Sequence, residues 1–545
     1  MKPFPKLKIK IFILVTTFSS FFIRLACAEN LDDTFPAEFS LGSLNGKNGF
    51  VIKGIEAYAR PGTLVSGAGD VNGDGIADII IGSPNAIKSA GQTYIIFGSY
   101  KGWPSAINVK SINSHNGLIV NGIHDSASGS SVSKAGDFNG DGIDDVVIGA
   151  PAANQAGQNY ALFGKKRGWT SSFNLTDLDG NNGFAINCSV TGAKQCGYVQ
   201  GGGDFNGDDI ADILLGTDDA TYVVFGGKKQ WPASIDLHKV NGTDGFAIRG
   251  EDGVARVFGI SGTSIGDINA DNITDILIKV NITTVRDFVL FGSKEWPAVF
   301  NITDFNGING FFIDGLKLSI PRRNAVGDIN GDGIDDIWLG DQNSYPFASY
   351  IVFGSKEPWP TAINITNLDG NNGFTIYGVK NSVYNSQGGT GDVNGDGVDD
   401  ILIGNAFAND LGRCYVVFGS KQKWPSSINV TNLDGDNGFV ITGINKTDCM
   451  GFSVRIAKDI NGDGVDDILT SATLCNEVGQ IYVVLGRGKK TFETFDWLPI
   501  IISTVVLSIV GTFTAYHYYC ATTNLSPPPS TPATNSPMIN YHTID

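Results

Sequence analysis

The sequence predicts an all-β chain that closes into a seven-bladed β-propeller of four-stranded units, followed by one C-terminal transmembrane helix. The first observation is a nine-residue pattern, D-x-N-x-D-x-x-x-D, which begins at Asp70 and returns six more times at intervals of 61 to 67 residues. The second is an apolar run after each copy, such as Ile79 to Ile81, and then a further apolar strand that ends in Gly. The third is that one period explains most of the 545 residues, which favours a repeat domain over several unrelated ones.

The N-terminus is predicted to be a secretory signal peptide, residues 1–28. Four lysines precede an apolar stretch, residues 11–23, and Ala26-Cys27-Ala28 is a small-residue cleavage site. A lipoprotein signal with an acylated Cys27 is the alternative. Arg24 lies where such a signal needs an aliphatic residue, so we favour cleavage near Ala28.

The propeller is predicted to occupy residues 29–487. Short β-branched runs bounded by Gly or Pro are typical of buried strands. Each repeat also carries an N-G-F piece, as at Asn182-Gly183-Phe184, and most carry a Trp-Pro step such as Trp231-Pro232. With the strand that leads into the aspartate pattern, each repeat has about four strands, and radial repetition of four-stranded sheets leaves only short, protected edges.

The two ends of this region are predicted to complete one blade. The seventh repeat stops after Gly486 and lacks the Trp-Pro step and the N-G-F strand. Equivalent pieces stand at the other end, from Phe35-Pro36 to Gly54. We therefore expect the N-terminal segment to supply the outer strand of the last blade.

Each aspartate pattern is predicted to be a calcium loop. Hard oxygen ligands at alternate positions of a tight loop suit Ca²⁺; position 7 adds a backbone carbonyl, and Gly at position 6 permits the turn. An EF-hand is excluded, because its bidentate Glu at position 12 is replaced by Ile81 in the first copy and by apolar residues or Thr470 elsewhere. The predicted ligands for up to seven Ca²⁺ are Asp70, Asn72, Asp74, Ile76 and Asp78 (loop 1); Asp137, Asn139, Asp141, Ile143 and Asp145 (loop 2); Asp204, Asn206, Asp208, Ile210 and Asp212 (loop 3); Asp267, Asn269, Asp271, Ile273 and Asp275 (loop 4); Asp328, Asn330, Asp332, Ile334 and Asp336 (loop 5); Asp392, Asn394, Asp396, Val398 and Asp400 (loop 6); and Asp459, Asn461, Asp463, Val465 and Asp467 (loop 7).

Loops 3 and 4 depart from the pattern, and their occupancy is left open. Asp209 replaces Gly in loop 3, and Ala270 and Asn272 replace both glycines in loop 4. These positions require a left-handed backbone, which Asn tolerates best after Gly.

Charge and composition argue against a nucleic-acid partner and against an enzyme. The net charge is −17, and 21 of the 55 acidic residues are the loop aspartates. A nucleic-acid surface needs basic patches. The five histidines fall at unrelated places in the repeat, and no catalytic constellation is present.

The C-terminal region is predicted to anchor the protein. Residues 488–496 form a juxtamembrane stalk, and 497–519 are an uncharged apolar stretch long enough to span a bilayer, with aromatic residues near both ends. Residues 520–545 form a disordered tail rich in Pro, Ser and Thr. The expected product is a single-pass type I protein at the cell surface, with the propeller outside.

Two further features fit an exported protein. Cys188 and Cys196 are close enough in sequence to bridge a hairpin. Nine N-x-S/T sequons lie in the predicted propeller region, four of which share one phase of the repeat: Asn174, Asn301, Asn364 and Asn429. They either form a glycosylated rim or reflect a loop composition rich in Asn and Thr.

The seven D-x-N-x-D-x-x-x-D loops, five of them with Gly at position 6, and their apolar strands resemble the FG-GAP repeats of the integrin α-subunit propeller. Phe258-Gly259 and Gly149-Ala150-Pro151 carry the signature. The resemblance implies calcium in the hairpin loops and a surface protein concerned with adhesion. Unlike integrin α chains, this chain has no stalk domains between propeller and membrane and no inserted D-x-S-x-S metal domain, so a β-type partner subunit is in doubt.

The predicted function is therefore calcium-stabilised recognition of a protein or glycan ligand at the cell surface, by an integrin-alpha-like receptor with or without a membrane partner subunit. Two alternatives remain. One is an exported propeller with hydrolase activity, since similar repeats occur in a glycosylphosphatidylinositol-specific phospholipase whose catalytic domain has no counterpart here. The other is a structural glycoprotein of a surface coat.

Overall fold

The computed structural model describes residues 34–54, 64–188, 196–217, 220–250, 262–281, 285–316, 326–341, 348–378, 385–406, 408–445, 449–472 and 479–488. The chain divides into two compact units, Met1–Lys489 and Lys490–Asp545, and the second lies outside the described residues. The predicted signal peptide, stalk, membrane span and tail also lie outside them, apart from Gly488. No helix in the described ranges is long and apolar enough to cross a membrane.

The described residues form seven sheets of five strands each, which confirms the predicted all-β, seven-bladed propeller. From the inner strand outwards, the first four blades are as follows. Blade 1 contains β3 (Leu64–Gly69), β4 (Asp78–Ser83), β5 (Gln92–Ile96), β7 (Gly117–Asn121) and β11 (Ser172–Asn174). Blade 2 contains β8 (Ser131–Gly136), β9 (Asp145–Ala150), β10 (Gln158–Leu162), β12 (Gly183–Asn187) and β16 (Ser234–Asp236). Blade 3 contains β13 (Tyr198–Gly203), β14 (Asp212–Gly216), β15 (Thr221–Val224), β17 (Gly245–Arg249) and β21 (Val299–Asn301). Blade 4 contains β18 (Gly262–Ser264), β19 (Ile276–Asn281), β20 (Val285–Leu290), β22 (Gly310–Asp314) and β26 (Ala362–Asn364).

The other three blades follow the same order. Blade 5 contains β23 (Val326–Gly327), β24 (Asp336–Asp341), β25 (Ala348–Val352), β27 (Gly373–Tyr377) and β31 (Ser427–Asn429). Blade 6 contains β28 (Asn385–Gly391), β29 (Asp400–Asn405), β30 (Arg413–Val417), β32 (Gly438–Thr442) and β1 (Glu38–Ser40). Blade 7 contains β33 (Met450–Ala457), β34 (Asp467–Ala472), β35 (Gln480–Val484), β2 (Gly49–Lys53) and β6 (Ala106–Asn108).

The expectation of four strands per blade was wrong by one. Strands one to four of each blade are antiparallel, and the fifth is a three-residue strand that pairs parallel with the fourth, as β11 does with β7. This fifth strand comes from the neighbouring blade, from the connection between that blade's third and fourth strands. Each blade therefore covers the outer edge of its neighbour, which protects an edge that would otherwise expose unpaired backbone groups.

The N-terminal segment lies where the sequence places it. β2 pairs antiparallel with β35 as the fourth strand of blade 7, with Phe50 opposite Val483. The structure adds a contact that the sequence does not reveal, because β1 pairs with β32 as the fifth strand of blade 6. The N-terminal segment thus contributes one strand to blade 6 and one to blade 7, whose inner strands come from the C-terminal part of the propeller.

Helical structure in the described ranges is limited to single turns. One α-helical turn spans Ala86–Ser89. The 3₁₀ turns span Leu41–Ser43, Val109–Ser111, Ala153–Gln155, Leu175–Asp177, Leu237–Lys239, Ile302–Asp304, Ile365–Asn367, Ala408–Asp410 and Val430–Asn432. Seven of these follow the fifth strands directly, and the four in-phase sequon asparagines, Asn174, Asn301, Asn364 and Asn429, are the last residues of such strands.

The apolar core lies between the blades, where aromatic pairs connect neighbours. Trp231 of the Trp-Pro step leading to β17 stacks on Phe184 of β12, with ring centroids 4.7 Å apart and planes 6° apart. Equivalent pairs are Phe50–Trp103, Phe246–Trp296, Phe311–Trp359 and Phe374–Trp424. Phe35 takes the tryptophan's place on Phe439. Between blades 1 and 2, Leu118 takes the place of the phenylalanine, and Trp169 packs against the buried cluster that contains it.

Candidate metal centres

Every aspartate loop joins the first and second strands of its blade, so the seven loops occupy equivalent places in the ring. Loop 1 connects β3 to β4, and its ninth residue, Asp78, begins β4. The backbone is left-handed at positions 4 and 6, with φ of 67° at Gly73 and 89° at Gly75. These are the angles that favour glycine.

The departures in loops 3 and 4 keep the same backbone. Asp209 has φ of 65°, Ala270 has 59° and Asn272 has 66°. Non-glycine residues in this region carry strain of order 1–3 kcal/mol each. The loop geometry is therefore maintained there at a conformational cost that the other loops avoid.

The aspartates at positions 1 and 5 organise the loop by accepting backbone N–H groups. In loop 1 the Asp70 carboxylate accepts from the N–H groups of Asp74 (3.0 Å) and Gly75 (2.7 Å), and Asp74 accepts from Ile76 (3.0 Å). The same three bonds recur in all seven loops. A carboxylate has two oxygens with about four lone-pair sites, so these bonds leave acceptor capacity on both aspartates.

The aspartate at position 9 is buried and ties the loop to the third strand. Asp145 of loop 2 accepts from the N–H groups of Phe138 (3.1 Å) and Gly164 (2.7 Å). Burial raises the pKa of the Asp145 carboxyl to about 8, and the neighbouring Asp141 and Asp137 add to the shift. The pKa values of Asp212, Asp275 and Asp336 also rise to about 8, chiefly through burial.

The bond from Gly164 gives the Phe-Gly pair a function that the sequence alone did not suggest. In every blade the glycine after the third strand donates its N–H to the position-9 aspartate: Gly98, Gly164, Gly226, Gly292, Gly354, Gly419 and Gly486. A Cβ atom on Gly98 would collide with the Ala77 carbonyl oxygen and with the Ile76 side chain. The available signal was the glycine itself, which follows the third strand of every repeat 14 to 20 residues after position 9 and is preceded by Phe in all repeats but the last, where Leu485 stands.

The donor set suits a hard cation, although the side chains do not converge on one point. Within the described ranges no three His, Cys, Asp or Glu side chains meet closely enough to hold a metal by themselves. A site would need the Asn oxygen at position 3 and the carbonyl at position 7 as well, and carboxylate, amide and carbonyl oxygens are the ligands that Ca²⁺ takes. The loops contain no His or Cys. The residues therefore fit calcium by donor chemistry and loop geometry.

The seven loops are connected to one another around the ring. The carbonyl at position 2 of each loop accepts the N–H of the residue after the Phe-Gly pair of the next blade, as Val71 does from Lys165 at 3.0 Å. This bond occurs at all seven blade boundaries, including Ile460 to Ser99 between blades 7 and 1. Each loop is thus hydrogen-bonded directly to the next blade.

Position 8 of the loops was not singled out by the sequence, and four of its residues are aspartates that line the central cavity: Asp144, Asp335, Asp399 and Asp466. This cavity has a volume of about 720 Å³ and lies among the inner strands. The Asp144 carboxylate accepts the N–H of Asp70 in the preceding loop at 2.8 Å, and Lys458 pairs with Asp466 at 3.2 Å. Burial raises the pKa of Asp399 to about 6.

Comparison with known proteins agrees with this architecture. The family model described as FG-GAP repeat matches residues 62–96, 128–162 and 384–417, which cover the first three strands and the loop of blades 1, 2 and 6. The other four blades show the same loop and strand order in the structure.

Curated relatives of the chain include a phospholipase D and integrin alpha chains. Human phosphatidylinositol-glycan-specific phospholipase D is 29% identical over 287 residues, 48% of this chain and 32% of the relative. Integrin alpha pat-2 of Caenorhabditis elegans is 27% identical over 231 residues, 38% of this chain and 17% of the relative. Bovine integrin alpha-2 is 30% identical over 153 residues, 27% of this chain and 12% of the relative. These alignments thus span about a third or less of each relative. Together with the seven blades and their loops, they identify the described part of the chain as an integrin-alpha-like FG-GAP propeller.

Proposed function

We propose that this protein is a calcium-stabilised propeller that recognises a protein or glycan ligand at the cell surface, in the manner of an integrin alpha chain. The observation that carries the proposal is the repetition of one loop in all seven blades, with a half-buried aspartate at position 1, an exposed one at position 5 and a buried one at position 9. No described lysine or arginine forms an ion pair with the buried aspartates.

Calcium would supply the charge that these loops lack. Three carboxylates within nine residues repel one another by about 1 kcal/mol per pair in water, and by more in a less polar setting. The bound ion would favour the ionised form of the position-9 aspartate, whose pKa burial raises. The loops are linked at every blade boundary, so calcium would stabilise the ring as well as each hairpin.

The location and partners follow from the rest of the chain and from the relatives. The predicted signal peptide and membrane span would present the propeller outside the cell. Integrin alpha relatives favour a protein ligand and a membrane partner subunit.

A crosslinked pull-down of the full-length protein from intact cells, in calcium and in chelator, tests the proposal. We expect a ligand, or a single stoichiometric membrane chain, that is recovered with calcium and lost with chelator. The Asp145→Asn variant should reduce recovery, whereas Glu295→Gln, an exposed acid outside the loops, should not. Equal recovery in calcium and chelator would contradict calcium-dependent recognition.

A hydrolase is the second candidate, and the phospholipase D relatives favour it. Among the described histidines, His115 contacts Asn113, His124 pairs with Asp125, and His238 contacts Tyr222, each in a different connection. Incubating the purified full-length protein with phosphatidylinositol-glycan substrate distinguishes the candidates, because turnover that survives the Asp145→Asn change would support an enzyme whose chemistry lies outside the loops.

A further inference from the structure

A lysine lies two residues after the Phe-Gly pair in five of the seven blades. The five are Lys166, Lys228, Lys294, Lys356 and Lys421, and all are exposed. Blade 1 has Tyr100 at this place, and blade 7 has Gly488. Because the preceding residue bonds to position 2 of the neighbouring loop, this side chain projects from a backbone that is fixed against that loop.

The lysine stem lies on position 4 of the preceding blade's loop. A Cβ atom built on Gly73 of loop 1 would stand 2.7 Å from Cγ and 3.2 Å from Cε of Lys166. The same contact recurs in loops 2 and 5, as Lys228 on Gly140 and Lys421 on Gly331. In loop 3 only the Lys294 Cε comes near, 3.4 Å from a Cβ built on Gly207, whose nearest neighbour is Ile273. With one further bond of about 1.5 Å, each ammonium group stands beside the loop.

Among the residues that the structure describes, no lysine lies on position 4 of loop 6 or loop 7. The Gly488 backbone lies beside Gly395 of loop 6, and the exposed ring of Tyr100 covers Gly462 of loop 7.

Arg487 is the cation next to Gly488 in sequence, and its guanidinium contacts the N-terminal segment. Its guanidinium donates to the Thr34 carbonyl oxygen at 2.9 Å and stacks over Phe35 at 4.9 Å. These contacts hold the positive charge at the segment that completes blade 7.

We propose that this lysine sets the calcium affinity of the loop that it covers, so that loops 6 and 7 bind calcium more tightly than loops 1, 2, 3 and 5. This inference rests on the proposed calcium function. An ammonium group stabilises the metal-free loop, with its three carboxylates, and repels Ca²⁺. For charges of +1 and +2 separated by about 9 Å in water, Coulomb repulsion weakens binding about fivefold, and screening at physiological ionic strength reduces the effect to about twofold.

The tight loops lie on the two sides of blade 7, the blade that the N-terminal β2 completes. Loop 6 meets blade 7, and loop 7 meets blade 1. As calcium falls, these two loops are the last to release it. The two boundaries of blade 7, where the N-terminal and C-terminal strands of the propeller meet, are therefore held together at the lowest calcium concentrations.

Calcium titration of the full-length protein in detergent, by isothermal calorimetry at low and at physiological salt, tests the inference. The wild type should show two tight sites and a weaker class. Lys421→Met keeps the stem and removes the charge, so one weak site should bind about fivefold more tightly at low salt. Tyr100→Lys should weaken one tight site by the same factor. Lys421→Arg, Tyr100→Phe and Lys423→Met are matched controls that should leave the titration unchanged.

A second readout separates charge from packing. Without calcium, Lys421→Met should melt at a lower temperature than the wild type, whereas Lys421→Arg should not. If calcium binds but every site has one affinity, or Lys421→Met and Tyr100→Lys titrate like the wild type, the inference is overturned and the proposed calcium function stands. If no calcium binds to the wild type, both fail.

Discussion

Replacing Trp231 by alanine removes one of the aromatic contacts that hold neighbouring blades together. The indole is 6% exposed, stacks on Phe184 at 4.7 Å, lies 4.9 Å from the ring of Phe138, and has the Lys229 ammonium 4.2 Å from its centre. The change therefore leaves a cavity between blades 2 and 3, within a cluster to which both blades contribute.

The expected loss is large against the stability of a typical protein. Trp→Ala in a core costs about 3–5 kcal/mol, of which the stacked pair accounts for about 1 kcal/mol beyond the buried area. Whole proteins are commonly stable by only about 5–15 kcal/mol. Trp231→Phe keeps a ring against Phe184 and should cost about half as much.

Urea unfolding of the full-length protein in calcium, followed by circular dichroism, measures the loss. The Phe184→Ala single and double variants complete a cycle whose coupling energy should be about 1 kcal/mol. Trp169→Ala is the matched comparison, because Leu118 replaces Phe at that boundary and no stacked pair is lost. Equal costs for Trp231→Ala and Trp169→Ala, or a cost below about 1 kcal/mol for either, would refute the account of the blade contacts.

Three further predictions concern the loops and the disulfide. Gly98→Ala should lower the melting temperature in calcium by several degrees, because its Cβ would collide with the backbone beside the bond to Asp78; an unchanged melt would contradict this. Cys188 and Cys196 form a disulfide, and replacing both by serine should cost about 2.5 kcal/mol in denaturant unfolding, with a loss below 1 kcal/mol counting against it. In chelator, stability should fall as the pH rises from about 4 to about 8: Asp145 keeps its proton up to a folded pKa of about 8, while the unfolded carboxyl ionises near 3.8. A flat profile of melting temperature against pH would contradict that last prediction.

The sequence predicted the architecture because the information is local and repeated seven times. The loop spacing located the turn between strands one and two, and the missing Trp-Pro and N-G-F pieces pointed to Phe35 and Phe50 as members of the last blade. The parallel fifth strand was missed, because three residues with only their middle one partly buried, as in Ser172–Asn174, give no periodic signal.

The site was predicted in part. The loop residues follow from ligand chemistry, but the bond from the Phe-Gly glycine and the lysine on the preceding loop depend on which blades are neighbours. Gly164 donates its N–H to Asp145 within its own blade, whereas the Lys166 side chain lies on loop 1 of the preceding blade. Comparison of the repeats in the sequence shows that such residues recur, but their contacts can be read only from the folded ring.

Thermal unfolding of the full-length protein in calcium and in chelator tests the central claim most directly. A site filled at 100 times its dissociation constant adds about 2.7 kcal/mol to the folded state, so several filled loops should raise the melting temperature strongly. The account predicts a large fall in chelator that is restored by calcium. An identical melt in both conditions would contradict calcium as the stabilising partner of the seven loops.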